Sequence, residues 1–436
     1  MIILDPRLRG NDKKGPKATF YEFIKGERLM LWRQKITEFF GLKKSIVALL
    51  TMVILVGLGE KMAERFLPIY LMALGGGALT IGLLNGMTNL LSALYSFPGG
   101  YLSDRLGYKK ALLVFNLIAL FGYAIVIIFP YWQAVIIGAI FFLSWSAISL
   151  PATMSLVSRV LPQDKRTMGV TMHSLVRRLP MALGPIIGGV LIGIYGDKTG
   201  VRLAFVGAFF LGLLSLILQQ VMIEADSAKG KAEKRPSRLW HYMSPALKNL
   251  LVSDILIRFA EQIPYAFVVV WCIKNQGITA TQFGLLTAIE MITAVLIYIP
   301  VAYLADRSTK KPFVVITFFN FTIFPLVIFF SHSFWMMGIA FVIRGLKEFG
   351  EPTRKALIMD LAPEDKKAGM FGLYYLIRDV IVSIGAFGGA FLWQISPEVN
   401  FFTAFACGLI GTIYFWICGK DLGQSKPISN ATHVLL

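Results

Sequence analysis

The sequence predicts an all-α membrane protein, with about twelve transmembrane helices in two pseudo-symmetric six-helix bundles. Three observations carry that expectation. The 436 residues are 56% hydrophobic and only 16% charged, with a mean hydropathy of +0.67, whereas soluble domains are about 45–50% apolar and about 25% charged. The apolar residues gather into runs long enough for spanning helices, which need about 20 residues each. The second half of the chain also repeats the first at a nearly fixed offset, the signature of a duplicated unit.

A soluble core of this length could not hide so much apolar surface. The net charge of +18 can point to nucleic acid, but the basic residues sit in short loops between apolar runs. That is the pattern of membrane topology, so the expected surroundings are a lipid bilayer and no nucleic-acid partner is expected. Cys272, Cys407 and Cys418 lie inside apolar runs, without disulfide or metal-ligand spacing. No phosphate-binding glycine loop or catalytic-triad spacing is present, so neither an enzyme activity nor a metal or cofactor is expected.

Residues 1–44 are basic and lack the apolar core of a signal peptide, which predicts a cytoplasmic, partly disordered extension. Its opening MIILDPRLRGND resembles translated repeat elements of some bacterial genomes, which would make Met30 the true start. Apolar segments follow at 46–74, 79–102, 111–129, 132–160, 168–195 and 201–223, forming a bundle over 45–223. The polar stretch 224–249 reads as a solvated cytoplasmic linker. Six more segments follow at 250–273, 282–304, 313–331, 334–361, 368–395 and 401–419, with a tail over 420–436. Loops after even-numbered segments carry the basic residues, such as Arg105, Lys109, Lys110, Lys165, Arg166 and Arg307, while the opposite loops carry little beyond Lys198, Arg202 and Lys274. Both termini are therefore expected in the cytoplasm, with the chain in a bacterial inner membrane.

The repeat is read from several matches. Tyr101-Leu-Ser-Asp104-Arg105 matches Tyr303-Leu-Ala-Asp306-Arg307 at an offset of 202. Pro162-Gln-Asp164-Lys165-Arg166 matches Pro363-Glu-Asp365-Lys366-Lys367 at 201, as do Glu60 with Glu261, Arg177 with Arg378 and Gly184 with Gly385. Parallel repeats of this kind occur in secondary transporters, which place the substrate near the bilayer midplane between the repeats.

Ionisable residues within spanning helices are costly, so each is a functional candidate by default. The first segment carries Glu60, Lys61, Glu64 and Arg65; the fifth carries Arg177 and Arg178. The seventh carries Asp254, Arg258 and Glu261, the eighth Glu290, the tenth Arg344, Lys347 and Glu348, and the eleventh Arg378 and Asp379. Asp254 with Arg258, and Arg344 with Glu348, have the i,i+4 spacing of pairs on one helix face. Glu60 and Glu64 share that spacing with like charge, so they require a base nearby or a proton. Glu60, Glu64 and Glu261 are the proton-coupling candidates, and Arg177, Arg258, Glu290, Arg344 and Arg378 the substrate-cavity candidates. Arg177 and Arg378 are symmetry mates whose guanidinium forks suit an anionic or hydroxyl-rich solute. An ion-pair network that merely joins helices is the competing reading for each of these residues.

Gly100-Tyr-Leu102-Ser-Asp104-Arg105-Leu-Gly107-Tyr-Lys109-Lys110 fits G-x-L-x-D-R-x-G-x-K-K between the second and third segments. It resembles the signature loop of the major facilitator superfamily. Gly100 permits a close backbone approach and Gly107 a tight turn. The resemblance implies that Asp104 faces the positive N-terminus of the eleventh helix near Lys366, and Asp306, followed by Arg307, the fifth near Asp164. Those contacts would latch the cytoplasmic side. Gly184-Pro185-Ile-Ile-Gly188-Gly189 resembles the Gly-Pro motif of drug:proton antiporters, although Pro180 stands where that pattern has glycine. Close helix packing is its alternative role. The antiporters' Arg-x-x-Gln-Gly motif is missing from the fourth segment, which has no charge in its middle.

The resemblance implies a monomeric secondary transporter that moves a small-molecule substrate by alternating access, with a proton as coupling ion. Multidrug efflux by proton antiport is one alternative. A transporter-like receptor or lipid scramblase without coupled transport is another.

Overall fold

The computed structural model describes residues 44–143, 176–224, 237–305, 309–363 and 367–420, plus single positions between 144 and 175. The N-terminal extension, most of the linker and of the tail, Asp306, Arg307 and the side chain of Asp104 lie outside the described residues. The latch expected at these aspartates therefore lies outside them too.

The described residues are helical. The first half contains α1 (Lys44–Glu64), α2 (Leu67–Ala73), α3 (Ala78–Leu106), α4 (Tyr108–Ile128), α5 (Trp132–Phe142) and α6 (Arg178–Met222). The second contains α7 (Pro245–Val270), α8 (Ala280–Ala305), α9 (Lys311–Phe329), α10 (Phe334–Leu346), α11 (Glu351–Leu361), α12 (Lys367–Ile395) and α13 (Pro397–Cys418). Among the described residues, eight helices are long and apolar enough to cross a membrane. The 45-residue α6 holds the fifth and sixth predicted segments, which meet at Gly196 (φ 78°). Gly107 turns the chain between α3 and α4 with φ 79°, a conformation that glycine adopts without steric cost.

Among the described residues, two predicted segments are broken. The first divides between α1 and α2, because Pro68 in the first turn of α2 has no N–H for the carbonyl of Glu64. The tenth divides between α10 and α11 at a turn over residues 347–350, with Pro352 in the first turn of α11. There the Gly350 N–H donates to Thr317 Oγ1, and a Cβ on Gly350 would meet the carbonyl oxygen of Phe313. A single turn occupies Ser237–Tyr242, and α7 begins at Pro245, N-capped by Ser244, whose hydroxyl accepts from the Leu247 N–H at 3.2 Å.

The repeat recurs as geometry. Gly188 of α6 lies against the Met62 carbonyl of α1, and Gly389 of α12 lies against the Ile263 carbonyl of α7. Both residues of one contact are 201 positions from their mates in the other. In each case a Cβ would collide with the carbonyl oxygen, so the backbone approach requires glycine.

Among the described residues, two helix pairs make the most extensive contacts between the halves. Gly82 and Gly86 of α3 sit against Ala390, Phe387 and Ser383 of α12. Gly189 and Pro185 of α6 sit against Ala280 and Gly284 of α8. All lie toward the end of the molecule that carries the Gly75, Gly196 and Gly277 turns, which we term the far end. There Thr281 donates to the Gly189 carbonyl at 3.1 Å, and Lys274 pairs with Asp197 at 2.7 Å.

Candidate functional site

The helix breaks place charge at the centre of the protein. The end of α1 presents Glu60, Lys61 and Glu64 where the chain kinks, and Arg65 in the break. Lys61 bridges the two carboxylates, with Glu60 at 3.1 Å and Glu64 in closer contact. Arg177 faces the same carboxylates from the start of α6. This group carries two negative and two positive charges.

A second, larger network fills the other half. Glu261 of α7 is held by Arg258 at 2.6 Å and by Lys347 at 2.8 Å. Asp254, one turn before Arg258, contacts Arg354 of α11 most closely, then Arg378 of α12 at 3.4 Å and Arg258 at 3.9 Å. Tyr374 donates its hydroxyl to the same carboxylate at 3.0 Å. Glu351 joins Arg354 at 2.8 Å and also pairs with Arg258. Arg378 pairs with Asp379 at 2.6 Å, and its guanidinium lies 4.2 Å from the Tyr375 ring centre. Arg354 and Asp254 are each only 1% exposed, so these charges are satisfied by one another rather than by solvent.

Glu290 of α8 connects this network to the other half. It is fully buried, 3.3 Å from both Arg344 and Lys347 and 3.8 Å from Arg65. A second cross-half pair joins Arg178 to Glu348 at 3.0 Å. On α3, Asn85 donates to the Gln262 backbone carbonyl at 2.9 Å, and Asn89 to the Gln262 side chain at 3.1 Å.

A cavity of about 50 Å³ lies between the halves, where these groups converge. Arg65 and Glu64 line it from one half and Arg344 and Tyr265 from the other, with Asn85 and Thr88 as further polar groups. Leu67, Leu84, Val269 and Phe283 supply apolar wall. The Tyr265 ring lies 5.2 Å from the Arg65 guanidinium and 5.4 Å from that of Arg344.

The structure sorts the expected site residues. Glu64, Arg65 and Arg344 border the cavity and Glu290 lies behind it, whereas Arg258, Glu261 and Arg378 belong to the ion-pair network. The expected Arg344–Glu348 pair does not form. The break after α10 turns Arg344 to Glu290 and Glu348 to Arg178. Gly184, Gly188 and Gly189 all serve close packing, against α1 and α8, and Pro185 offers its carbonyl to Gly284. In the signature loop, Lys109 donates to the Gln220 carbonyl at 2.9 Å, tying the loop to the end of α6. Arg105 and Lys110 are exposed, and Gly107 is buried. Glu351 and Arg354 were missing from the expected set, because both fall near the end of a segment read as one continuous helix. Gly350-Glu351-Pro352 is the sequence signal of the break that buries them.

The Major Facilitator Superfamily profile matches residues 49–273 and 250–433. An MFS-type transporter of Methanocaldococcus jannaschii, MJ1560, is 24% identical over 375 residues, covering 82% of this chain and 94% of that protein. The quinolone resistance protein NorA of Staphylococcus aureus is 28% identical over 142 residues, which cover 32% of this chain and 37% of NorA. Among solved structures, a POT family transporter in complex with a thioalcohol-conjugated peptide has a TM-score of 0.73 at 14% identity, over 87% of this chain and 96% of that one. The nucleoside transporter NupG has a TM-score of 0.71 at 12% identity, over 86% and 100%. At such identities these structures establish the fold alone.

Proposed function

The chain belongs to the major facilitator superfamily and is a multi-pass secondary transporter, and from that premise we propose that it moves a small solute by proton-coupled alternating access. The observation that carries the proposal is the pairing of a charged cavity between the halves with a glycine-on-backbone seal at one end of it. Rocking the halves about the cavity would break that seal while the opposite end closes. By loop charge the sealed end faces away from the cytoplasm, in a bacterial inner membrane with both termini inside. The transporter works as a monomer, because each half completes the cavity of the other.

Glu60 and Glu64 are the favoured proton carriers. They share Lys61, whereas Glu261 is fixed between Arg258 and Lys347. Protonating one of the two carboxylates leaves Lys61 paired with the other, so the proton changes the charge of the group by one while the ammonium keeps a partner. Reconstituted protein should show solute flux that accelerates under an imposed pH gradient. Glu60→Gln should lose most of that acceleration, and Glu261→Gln should instead lower stability. A Glu60→Gln variant with the parental response to the gradient removes Glu60 from the coupling.

Asp104 is proposed as the latch of the cytoplasmic side, through the N-terminal dipole of α12. Asp104→Asn should insert normally and transport more slowly, by up to about 30-fold, since a charge at a partly buried helix terminus contributes up to about 2 kcal/mol. Parental flux in reconstituted vesicles would exclude the latch.

A second reading, drug efflux by proton antiport, is favoured by the similarity to part of NorA. It predicts export of several unrelated lipophilic cations from loaded vesicles.

A further inference from the structure

We propose that the solute is a small organic monoanion with an apolar body, its anionic head held between Arg65 and Arg344. The inference rests on the transporter reading above and narrows it to a substrate class.

The charge balance of the connected network points this way. From Arg65 through Glu290 to Asp379 the described ion pairs link five carboxylates to six cations. The neighbouring group of Glu60, Lys61, Glu64 and Arg177 has two charges of each sign among the described residues. One positive charge in the network is therefore left over, in a part of the molecule where an uncompensated charge is costly. It lies around Glu290, the carboxylate nearest to both Arg344 and Arg65, which also pairs with Lys347, while Glu64 acts on Arg65 from the other half.

Geometry places the surplus on the cavity wall. Neither carboxyl oxygen of Glu290 has a well-aligned hydrogen bond, and the nearest cations stand off at 3.3 Å. The guanidinium donors of Arg65 and Arg344 thus remain available for a better-placed acceptor. Both line the cavity, while Glu290 is 0% exposed and lies behind them. An incoming carboxylate or similar anion can take up those donors without exposing Glu290. Arg65 and Arg344 belong to opposite halves, so one anion touching both would join the halves at the cavity. Tyr265, flanked by the two guanidiniums, and Phe283 offer aromatic surface to an apolar or aromatic body. A net cation would meet two fixed positive charges there against the one carboxylate of Glu64, itself in contact with Lys61.

The test uses three molecules of one shape and different charge: benzoate, benzylammonium and benzyl alcohol. Each is titrated into the full-length protein in lipid nanodiscs, and the thermal unfolding midpoint is recorded, since a ligand of the folded state raises it. Benzoate should raise the midpoint saturably, and the other two should not. In Arg65→Gln the benzoate concentration for half-maximal effect should rise about tenfold, the loss expected for a hydrogen bond to a charged group. Arg344→Lys keeps the charge of the more buried arginine and guards against a folding defect; it should weaken benzoate as well, by removing the planar fork. Stabilisation by benzylammonium equal to that by benzoate overturns the inference, as does an absence of any benzoate effect or parental benzoate binding in both variants. Flux in vesicles separates this inference from the reading beneath it. Benzylammonium flux refutes only the anion class, whereas benzoate binding without flux of any solute refutes only transport.

Discussion

Asp254→Ala is expected to destabilise the protein by about 3–5 kcal/mol, the range for breaking a buried ion pair by removing one partner. Asp254 is 1% exposed and accepts from Arg354, Arg378 and Tyr374 at once. Without it, the carboxylate partners left among the described residues are Glu351 for Arg354 and Asp379 for Arg378. The network, already one positive charge in excess, then carries two. Charge rather than volume should decide the outcome, so Asp254→Asn should cost nearly as much as the alanine. Pairing Asp254→Asn with Arg378→Gln removes a stranded cation along with its counter-charge, and should recover part of the loss as a positive coupling in a double-mutant cycle. Denaturant unfolding of the detergent-solubilised protein measures all three. An asparagine variant as stable as the parent shows that the ion pairs add nothing.

The bundle architecture was legible because its causes are local. Apolar runs of spanning length, basic loops on alternate sides and matches at one offset each follow from a stretch of contiguous sequence. The contact of Gly188 with Met62 and its mate of Gly389 with Ile263 confirm that the sequence repeat is also a packing repeat. The breaks at Pro68 and Gly350 were harder to read. A proline near a helix end can equally well continue, kink or cap it, and tertiary contacts such as that of Gly350 with Thr317 settle which.

The site was less legible, since ion pairing is decided by helices far apart in the chain. Arg378 and Asp254 are 124 residues apart in sequence. Symmetry also misleads here. Arg177 and Arg378 are sequence mates, yet the position matching Asp254 in the first half is Val53. Arg378 therefore enters a network, while Arg177 faces Glu60 and Glu64. The duplication preserved helix packing and let the charges diverge, so the cavity has one network-backed wall and one smaller, self-balanced group opposite it.

In the proposed alternating access, the approach of the halves at the far end rests on the glycines. Gly284→Ala should open the far end, because a Cβ there would collide with the Pro185 carbonyl oxygen across the two halves. Overpacking of this kind costs about 1–3 kcal/mol. The cost falls only on the state in which α6 and α8 touch, so about 2 kcal/mol would shift the balance toward the opened state about 30-fold. Thr281 lies on the same seam, donating to the Gly189 carbonyl. With Cys272, Cys407 and Cys418 replaced by alanine, a cysteine introduced as Thr281→Cys should react far faster with a membrane-impermeant maleimide when Gly284→Ala is present. Gly388→Ala is the control: it lies on α12 among the residues that seal the other seam, yet its Cβ would meet nothing within 4 Å, so labelling should stay at the parental rate. Equal rates in all three proteins would mean that the far-end seal is not a gate. A rise confined to Gly284→Ala, together with slower transport, would mean that the glycines set how closely the halves meet and that the charged cavity needs the seam closed to do its work.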